Sequence, residues 1–423
     1  MKSVSLASPH HLSGTVKPTW LDGLARKQVL ERLQQLEHGL LWLEQDGQVH
    51  RFGSAVDNDE GLAARIQVKD PRFFSEIAFG GSIGAGEAYI QGYWACDDLV
   101  GLVRILLMNR QVLDDMESGF ASLTKPLQEL FHWVNRNTHE GARRNISAHY
   151  DLGNDFFRLW LDQTMMYSCA IFDDQHTDLH SAQVNRLERI CQKLQLGPED
   201  HVIEIGTGWG GFAIHAAQNY GCRVTTTTIS KEQFALAEQR IADAGLQDRI
   251  TLLQDDFRDL AGQYDKLVSI EMIEAIGSGL YKAFFRKCCD LLKPDGLMLI
   301  QAITIADQNY AASQRSVDFI QRYIFPGACL PSSEAMNQIV ATETDLRLLD
   351  LEDIGLHYAT TLRHWRENFF ARIDQVRRLS YPESFIRMWE FYLCYCEGAF
   401  LERAISDLHT VYSRPGYRAL PTR

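Results

Sequence analysis

The run Glu204-Ile205-Gly206-Thr207-Gly208-Trp209-Gly210-Gly211 has the composition of a turn that lets backbone approach a ligand. Gly206, Gly208 and Gly210 remove Cβ atoms where the chain must bend tightly and lie against a bound group. The string formally fits the dinucleotide pattern GxGxxG with Trp209 inside it, so the turn alone does not choose a cofactor. Dinucleotide folds place an acid at the end of the second strand to hold ribose hydroxyls, whereas that strand here ends Thr227-Thr228-Ile229-Ser230. Glu204, just before the turn, suits the cationic amino group of a methionine moiety. After the third strand, Asp255-Asp256-Phe257 offers a carboxylate for an adenine amino group and a ring for its face, although Phe257 serves core packing equally well. Together these residues point to S-adenosylmethionine and to methyl transfer.

The elements around the turn alternate between strand and helix. HVIEI, a helix over 211–219, RVTTTTI, a helix over 231–243, ITLLQ, KLVSIEM, a helix over 280–292 and LMLIQAIT follow one another. Ahead of them, Leu187, Ile190, Cys191 and Leu194 share one helical face, and Gly197-Pro198 stops that helix. The pattern predicts an α/β fold of the Rossmann-like class I methyltransferase kind, with a mostly parallel, doubly wound sheet. Its ligands sit at the carboxyl ends of the strands, where the glycine turn lies.

The N-terminal part reads differently. A helical pattern over 20–38 gives way to shorter alternating text from 39 to about 80, with Asp46-Gly47 as a hairpin turn, and an apolar helix over 98–108. A polar and basic run over 110–145 makes a linker. The expected division is a smaller α+β domain with linker over 1–130 and a catalytic domain over 131–423.

The 423 residues carry a formal charge of −13, which argues against general nucleic-acid binding, since phosphate recognition needs a cationic footprint. Nine scattered cysteines form no zinc-ribbon pair and read as reduced thiols, with no metal site expected. There is neither a bilayer-length apolar run nor a signal-peptide-like N-terminus, which predicts a cytoplasmic protein.

Six strings stand in order along the chain: HYDLGNDFF (149–157), MMYSCAIF (165–172), EIGTGWGGFA (204–213), TISKEQ (228–233), RYIFPGACLPS (322–332) and HYATTLRHW (357–365). Together, from about residue 80 onward, they resemble the cyclopropane-fatty-acyl-phospholipid synthases, a family related to the mycolic acid cyclopropane synthases. The resemblance implies methyl transfer from S-adenosylmethionine to a cis double bond in a phospholipid acyl chain. The alkene attacks the sulfonium methyl, a carbocation forms, and a bicarbonate held by the enzyme removes a methyl proton so that the ring closes. It further implies a homodimer attached peripherally to the inner face of the membrane, with residues 1–130 assisting lipid engagement.

Residue by residue, the resemblance places Tyr167, Ser168, the glycine turn with Trp209, Thr228, Gln233, Asp256 and Phe257 at the cofactor. It places Glu274, Tyr358, the backbone of Cys169 and Ile303, and position 301 at the bicarbonate. A carbocation needs apolar and aromatic walls without a competing nucleophile. Tyr150, Phe156, Phe157, Tyr167, Phe172, Tyr323, Phe325, Tyr358, Trp365, Phe369 and Phe370 supply them, or equally form ordinary core. The sequence departs from the family at Ala275, where many members read histidine after the glutamate. It departs again at Gln301, which replaces a bicarbonate-binding histidine. A neutral amide donates to an anion but cannot become cationic or relay a proton. Gln301 therefore leaves open a methyl-branched or methylene-bearing product, and, less favoured, a non-catalytic binder or an amine or oxygen methyltransferase. Residues 363–379 combine Trp365, Phe369 and Phe370 with five arginines, as either a lipid-facing or a solvated helix.

Overall fold

A computed structural model describes residues 20–54, 61–113 and 152–418. The N-terminal residues 1–15, most of the 110–145 linker and Tyr150 lie outside the described residues. Contacts divide the chain into two compact units, Met1–Gln128 with Arg377–Glu402, and Glu129–Val376 with Arg403–Arg423.

The first unit begins with α1 (Trp20–Leu33), β1 (Gly39–Gln45), β2 (Gln48–Ser54), β3 (Ala63–Val68), α2 (Arg72–Ile90), β4 (Trp94–Cys96) and α3 (Leu99–Met108). Its strands order β2-β1-β3-β4. The expected hairpin joins β1 and β2 through Asp46 at φ 50° and Gly47 at φ 77°, the paired left-handed residues that match strand twist. The strand-rich reading up to residue 80 fails at residue 72, where α2 starts. Gly81 kinks that helix at φ 58° and folds it back, so that a Cβ on Gly84 would stand 1.9 Å from the Glu76 carbonyl oxygen. The glycines that look like loop punctuation thus permit a close backbone crossing.

The second unit runs through α4 (Asn154–Arg158), α5 (Leu179–Lys193), β5 (His201–Ile205), α6 (Gly211–Tyr220), β6 (Arg223–Thr227), α7 (Lys231–Asp243), β7 (Ile250–Leu253) and β8 (Tyr264–Ile270). It continues with α8 (Ile273–Ile276), α9 (Tyr281–Leu291), β9 (Leu292–Ile305), α10 (Asp307–Ser313), α11 (Phe319–Tyr323), α12 (Ser333–Glu343), β10 (Arg347–Asp353), α13 (Gly355–Ala371) and α14 (Ile373–Arg378). After α15 (Glu383–Leu401) the chain returns to this unit as β11 (Ile405–Ser413). Seven strands order β10-β11-β9-β8-β5-β6-β7, and β5 to β9 pair in parallel while β11 runs antiparallel to β9 and β10. Chain order reverses between β5 and β8, which makes their carboxyl ends the ligand crevice of a doubly wound sheet. Apolar layers on the two faces of the sheet fix this geometry, one around Leu267, Phe284 and Phe285 and one around Ile190, Phe212 and Val268.

Helix α15 belongs to the first unit, where it packs on α2 and α3. The Tyr89 hydroxyl donates to Glu390 at 2.7 Å, and Arg104 pairs with Glu402 at 2.6 Å. Residues 131–423 are therefore not one continuous domain, because 377–402 pack with the N-terminal unit. Cys396 lies on this helix. In α13, Trp365 and Phe369 are buried and only Phe370 is exposed, so two of the three aromatics expected at a lipid surface serve the core.

Candidate active site

Strand β5 delivers Glu204 to the crevice and the chain then turns through Gly206 at φ 105°, Gly208 at φ 53° and Gly210 at φ 86° into the first turn of α6. All three lie in the left-handed region that side chains disfavour. A Cβ on Gly211 would meet Met166 Sδ at 2.4 Å and the Thr164 carbonyl at 2.9 Å, whereas Gly208 faces open space. Glu204 is buried and accepts one hydrogen bond, from Thr226 Oγ1 at 2.6 Å. Burial pushes its carboxyl up to about 8, against the Thr226 bond and the Arg186 cation. A buried acid with one donor gains most from a cationic partner, so this turn fits the amino group of S-adenosylmethionine. At the end of β6, Thr228 donates to Gln233 at 2.8 Å across the start of α7.

Two of the expected cofactor contacts have partners within the protein. Asp256 is held by Arg258 through two bonds of 2.7 Å and caps the turn that follows. The Phe257 ring meets Phe284 edge-on at 5.7 Å inside the core, as its packing role required. Trp209 donates from Nε1 to Asn154 at 2.7 Å, with its ring 5.0 Å from Phe157.

From Phe157 an aromatic cluster leads away from the turn. Its centroids lie 5.6 Å from Phe157 to Tyr167, 5.3 Å from Tyr167 to Trp365 and 5.8 Å from Trp365 to Tyr358, with Trp160 and Phe325 at its sides. Phe156 joins through Trp160 and Phe369. Phe172 instead stacks on His364, and Tyr323 packs at a tilt against Phe319. The segment 167–170 that carries Tyr167 is tied down residue by residue. Gln183 donates to the Ser168 carbonyl, Arg186 to Ser168 Oγ at 3.0 Å, and the Ala170 amide to Thr361 at 3.0 Å.

The residues assigned to bicarbonate do converge, but on side chains of this protein. The Cys169 amide donates to Glu271 Oε1 at 2.8 Å, Gln301 Nε2 donates to the same oxygen at 2.7 Å, and the Tyr358 hydroxyl donates to Glu271 Oε2 at 2.6 Å. The Ile303 amide donates to Glu274 Oε1. The Cys169 thiol itself is pushed well above its ordinary range by burial, which leaves its backbone as the functional part. With every assigned donor already satisfied by a carboxylate, and the half-buried Glu271 beside the buried Glu274 and Asp407, a bicarbonate on these groups does not fit. It would lack donors and add a further anion to a low-dielectric cluster.

Glu271, Asp407, His409 and Arg186 are the site residues that sequence reasoning missed. Gln301 binds them together: Nε2 also donates to Asp407 Oδ2 at 2.8 Å, and Oε1 accepts from His409 Nε2 at 3.1 Å. An amide suits this place because one nitrogen carries two hydrogens for two carboxyls, while its oxygen takes a third bond. Burial, followed by the charges of Glu271 and Glu274, holds Asp407 well above the usual carboxylate range. Burial also raises Glu271, opposed by the bonds from Tyr358 and Cys169 and by the buried Arg186 cation. Burial and then the Glu271 charge bring Glu274 up to about 8, and its Oε2 has no partner among the described residues. His409 is pushed down to about 3 by burial and stays neutral. A signal was present: Asp407 and His409 stand two apart, on one face of a strand, with apolar Leu408 between them, and His409 stands opposite Gln301 in register. Among the described residues no cluster has the makings of a metal site, and no helix is long and apolar enough to cross a membrane.

Comparison with known proteins places this geometry. The family model for mycolic acid cyclopropane synthetase matches residues 137–410. The chain is 40% identical over 362 residues to the tuberculostearic acid methyltransferase UfaA1 of Mycobacterium tuberculosis, covering 83% of this chain and 84% of that one. It is 37% identical over 367 residues to the cyclopropane-fatty-acyl-phospholipid synthase of Escherichia coli K12, covering 86% and 91%. The crystal structure of the mycolic acid cyclopropane synthase CmaA1 complexed with SAH and CTAB is similar at TM-score 0.60 and 30% identity, covering 64% of this chain and 98% of that one. The glycine turn after β5 and the aromatic path to Tyr358 thus belong to a member of the mycolic acid cyclopropane synthetase family, an S-adenosylmethionine-dependent methyltransferase of the cyclopropane synthase type.

Proposed function

We propose that this enzyme methylates the cis double bond of an acyl chain in a membrane phospholipid and closes a cyclopropane ring. The observation that carries this reading is the aromatic path from Trp209 through Phe157, Tyr167 and Trp365 to Tyr358, which ends at the half-buried carboxylate of Glu271. When bound, S-adenosylmethionine supplies an electrophilic methyl group. Glu204 and the glycine turn hold its methionine end, and Thr228 and Gln233 lie beside the remainder. The rings exclude water and stabilise the cation that the alkene becomes, each face contributing on the order of 0.5–2 kcal/mol. Homology to a phospholipid synthase supports the substrate class, and the same reading puts the enzyme at the inner membrane face as a homodimer, with the N-terminal unit engaging lipid.

A second reading, a methyl-branched or methylene-bearing product, is favoured by the similarity to a tuberculostearic acid methyltransferase, named for methyl transfer rather than ring formation. Incubation with S-adenosylmethionine and vesicles of cis-unsaturated phospholipid, then mass and proton magnetic resonance spectra of the released esters, decides. A product heavier by one methylene and lacking olefinic and methyl-doublet signals supports the ring. An olefinic or doublet signal supports the second reading, and no mass gain contradicts both.

A further inference from the structure

Three donors converge on one carboxylate. The Cys169 amide, Gln301 Nε2 and the Tyr358 hydroxyl are the groups that the family resemblance assigns to a bicarbonate, and here they bind Glu271 at 2.8, 2.7 and 2.6 Å. A carboxylate presents the same planar pair of oxygens as bicarbonate. An ionised carboxyl has about four lone-pair sites. Of these three bonds Oε1 accepts two and Oε2 one, which makes Oε2 the less occupied oxygen and the one offered to a substrate proton. Tyr358, which holds that oxygen, packs its ring on Trp365 at the end of the aromatic path.

The backbone at Glu271 points the same way. The residue leaves β8 at φ 48°, the left-handed region that favours glycine, although it is a glutamate. Strain of this kind persists at functional positions when the surroundings over-determine it.

We propose that Glu271 is the catalytic base of this enzyme, an in-chain carboxylate that does the work of the bicarbonate. The proposal rests on the alkene-methylating reading above. In the reaction the alkene π pair forms a bond to the sulfonium methyl carbon, the carbon–sulfur bond breaks, and S-adenosylhomocysteine leaves with that pair. Glu271 Oε2 then takes a proton from the new methyl group. The freed C–H pair bonds to the cationic carbon and closes the ring, and the carboxylic acid loses its proton to solvent once product leaves. Gln301 and Cys169 are positioning residues that keep the carboxylate oriented. Gln301 in place of histidine is explained as well: the group at 301 must donate to an anion fixed in the chain and to Asp407, which an amide does without a net charge.

The test uses the full chain, S-adenosylmethionine and vesicles of cis-unsaturated phosphatidylglycerol in buffer purged of carbon dioxide. Glu271→Gln should lose about 100-fold or more in product formation, the typical contribution of a positioned base, while its affinity for S-adenosylmethionine is unchanged by calorimetry. Glu271→Gly is conformationally allowed at this φ and should fold. It should be equally slow in purged buffer, regain turnover on addition of bicarbonate or formate, and show a melting temperature raised by bicarbonate where the wild type shows no shift. Either variant keeping more than about half of wild-type turnover in purged buffer would overturn the proposal. So would a folded Glu271→Gly that responds to neither anion in turnover or melting. If the wild type methylates no lipid at all, the alkene-methylating reading fails, and the anion-dependent melting of Glu271→Gly still decides whether Glu271 fills an anion site.

Discussion

The two halves of the site are built on opposite plans. The proposed cofactor half centres on a single stretch of chain, Glu204 to Gly211, shaped by backbone: left-handed glycines and the start of α6. The proposed proton-accepting half gathers the Cys169 amide and side chains from Glu271 to His409 around Gln301, and its shape comes from hydrogen bonds donated to a cluster of acids. The first tolerates changes that leave the backbone path intact. The second is held by charge balance, so one misplaced proton or charge propagates through it.

Perturbing the two halves should therefore give different losses. Gln301→Glu places another carboxyl between Glu271 and Asp407 and removes both donated bonds. It should cost about 3–5 kcal/mol of stability, as breaking a buried pair does, and abolish turnover, which denaturant melts and the lipid assay read together. On the proposed placement of the cofactor, Glu204→Gln removes the charge beside its amino group, so S-adenosylmethionine should bind about 10- to 100-fold more weakly, the value of a charged hydrogen bond. Turnover at saturating cofactor should change much less, which separates binding from proton removal. Tyr358→Phe leaves Glu271 with two donors and should lower kcat about tenfold with little effect on cofactor affinity.

The smallest effect is on pH dependence. Glu204 and Glu274 sit near 8 in the folded chain against an ordinary 4.5, so between those values the folded state holds protons that the unfolded state has lost. Their contribution is full below about pH 4.5 and is lost as pH rises through about 8. The melting temperature of the cofactor-free enzyme should fall over that window, and Glu204→Gln should flatten part of the slope. An unchanged slope would show that Glu204 is ionised without its ligand.

The same contrast decides what could be read from sequence. Local features were legible because their causes are local: the glycine turn, the Asp46-Gly47 hairpin, and α7 at Lys231–Asp243. Phe257 remained ambiguous because an aromatic near a cofactor strand and one in the core look alike until Phe284 is seen against it. Glu271 was hidden inside KLVSIEM, read as one strand, because nothing in its neighbours announces that the strand ends at Ile270 and the chain turns left-handed. Asp407 and His409 become site residues only through the antiparallel pairing of β11 with β9, more than a hundred positions away. Helix α15 shows the same limit at larger scale, since an apolar helix does not state which unit it will cover.

The central claim is that the reaction completes with the protein's own carboxylate. The most direct measurement is wild-type turnover on cis-unsaturated vesicles in carbon dioxide-free buffer, followed by titration with bicarbonate. Product formation at the same rate throughout is the predicted result. Turnover that collapses in the purged buffer and returns with added bicarbonate would contradict it.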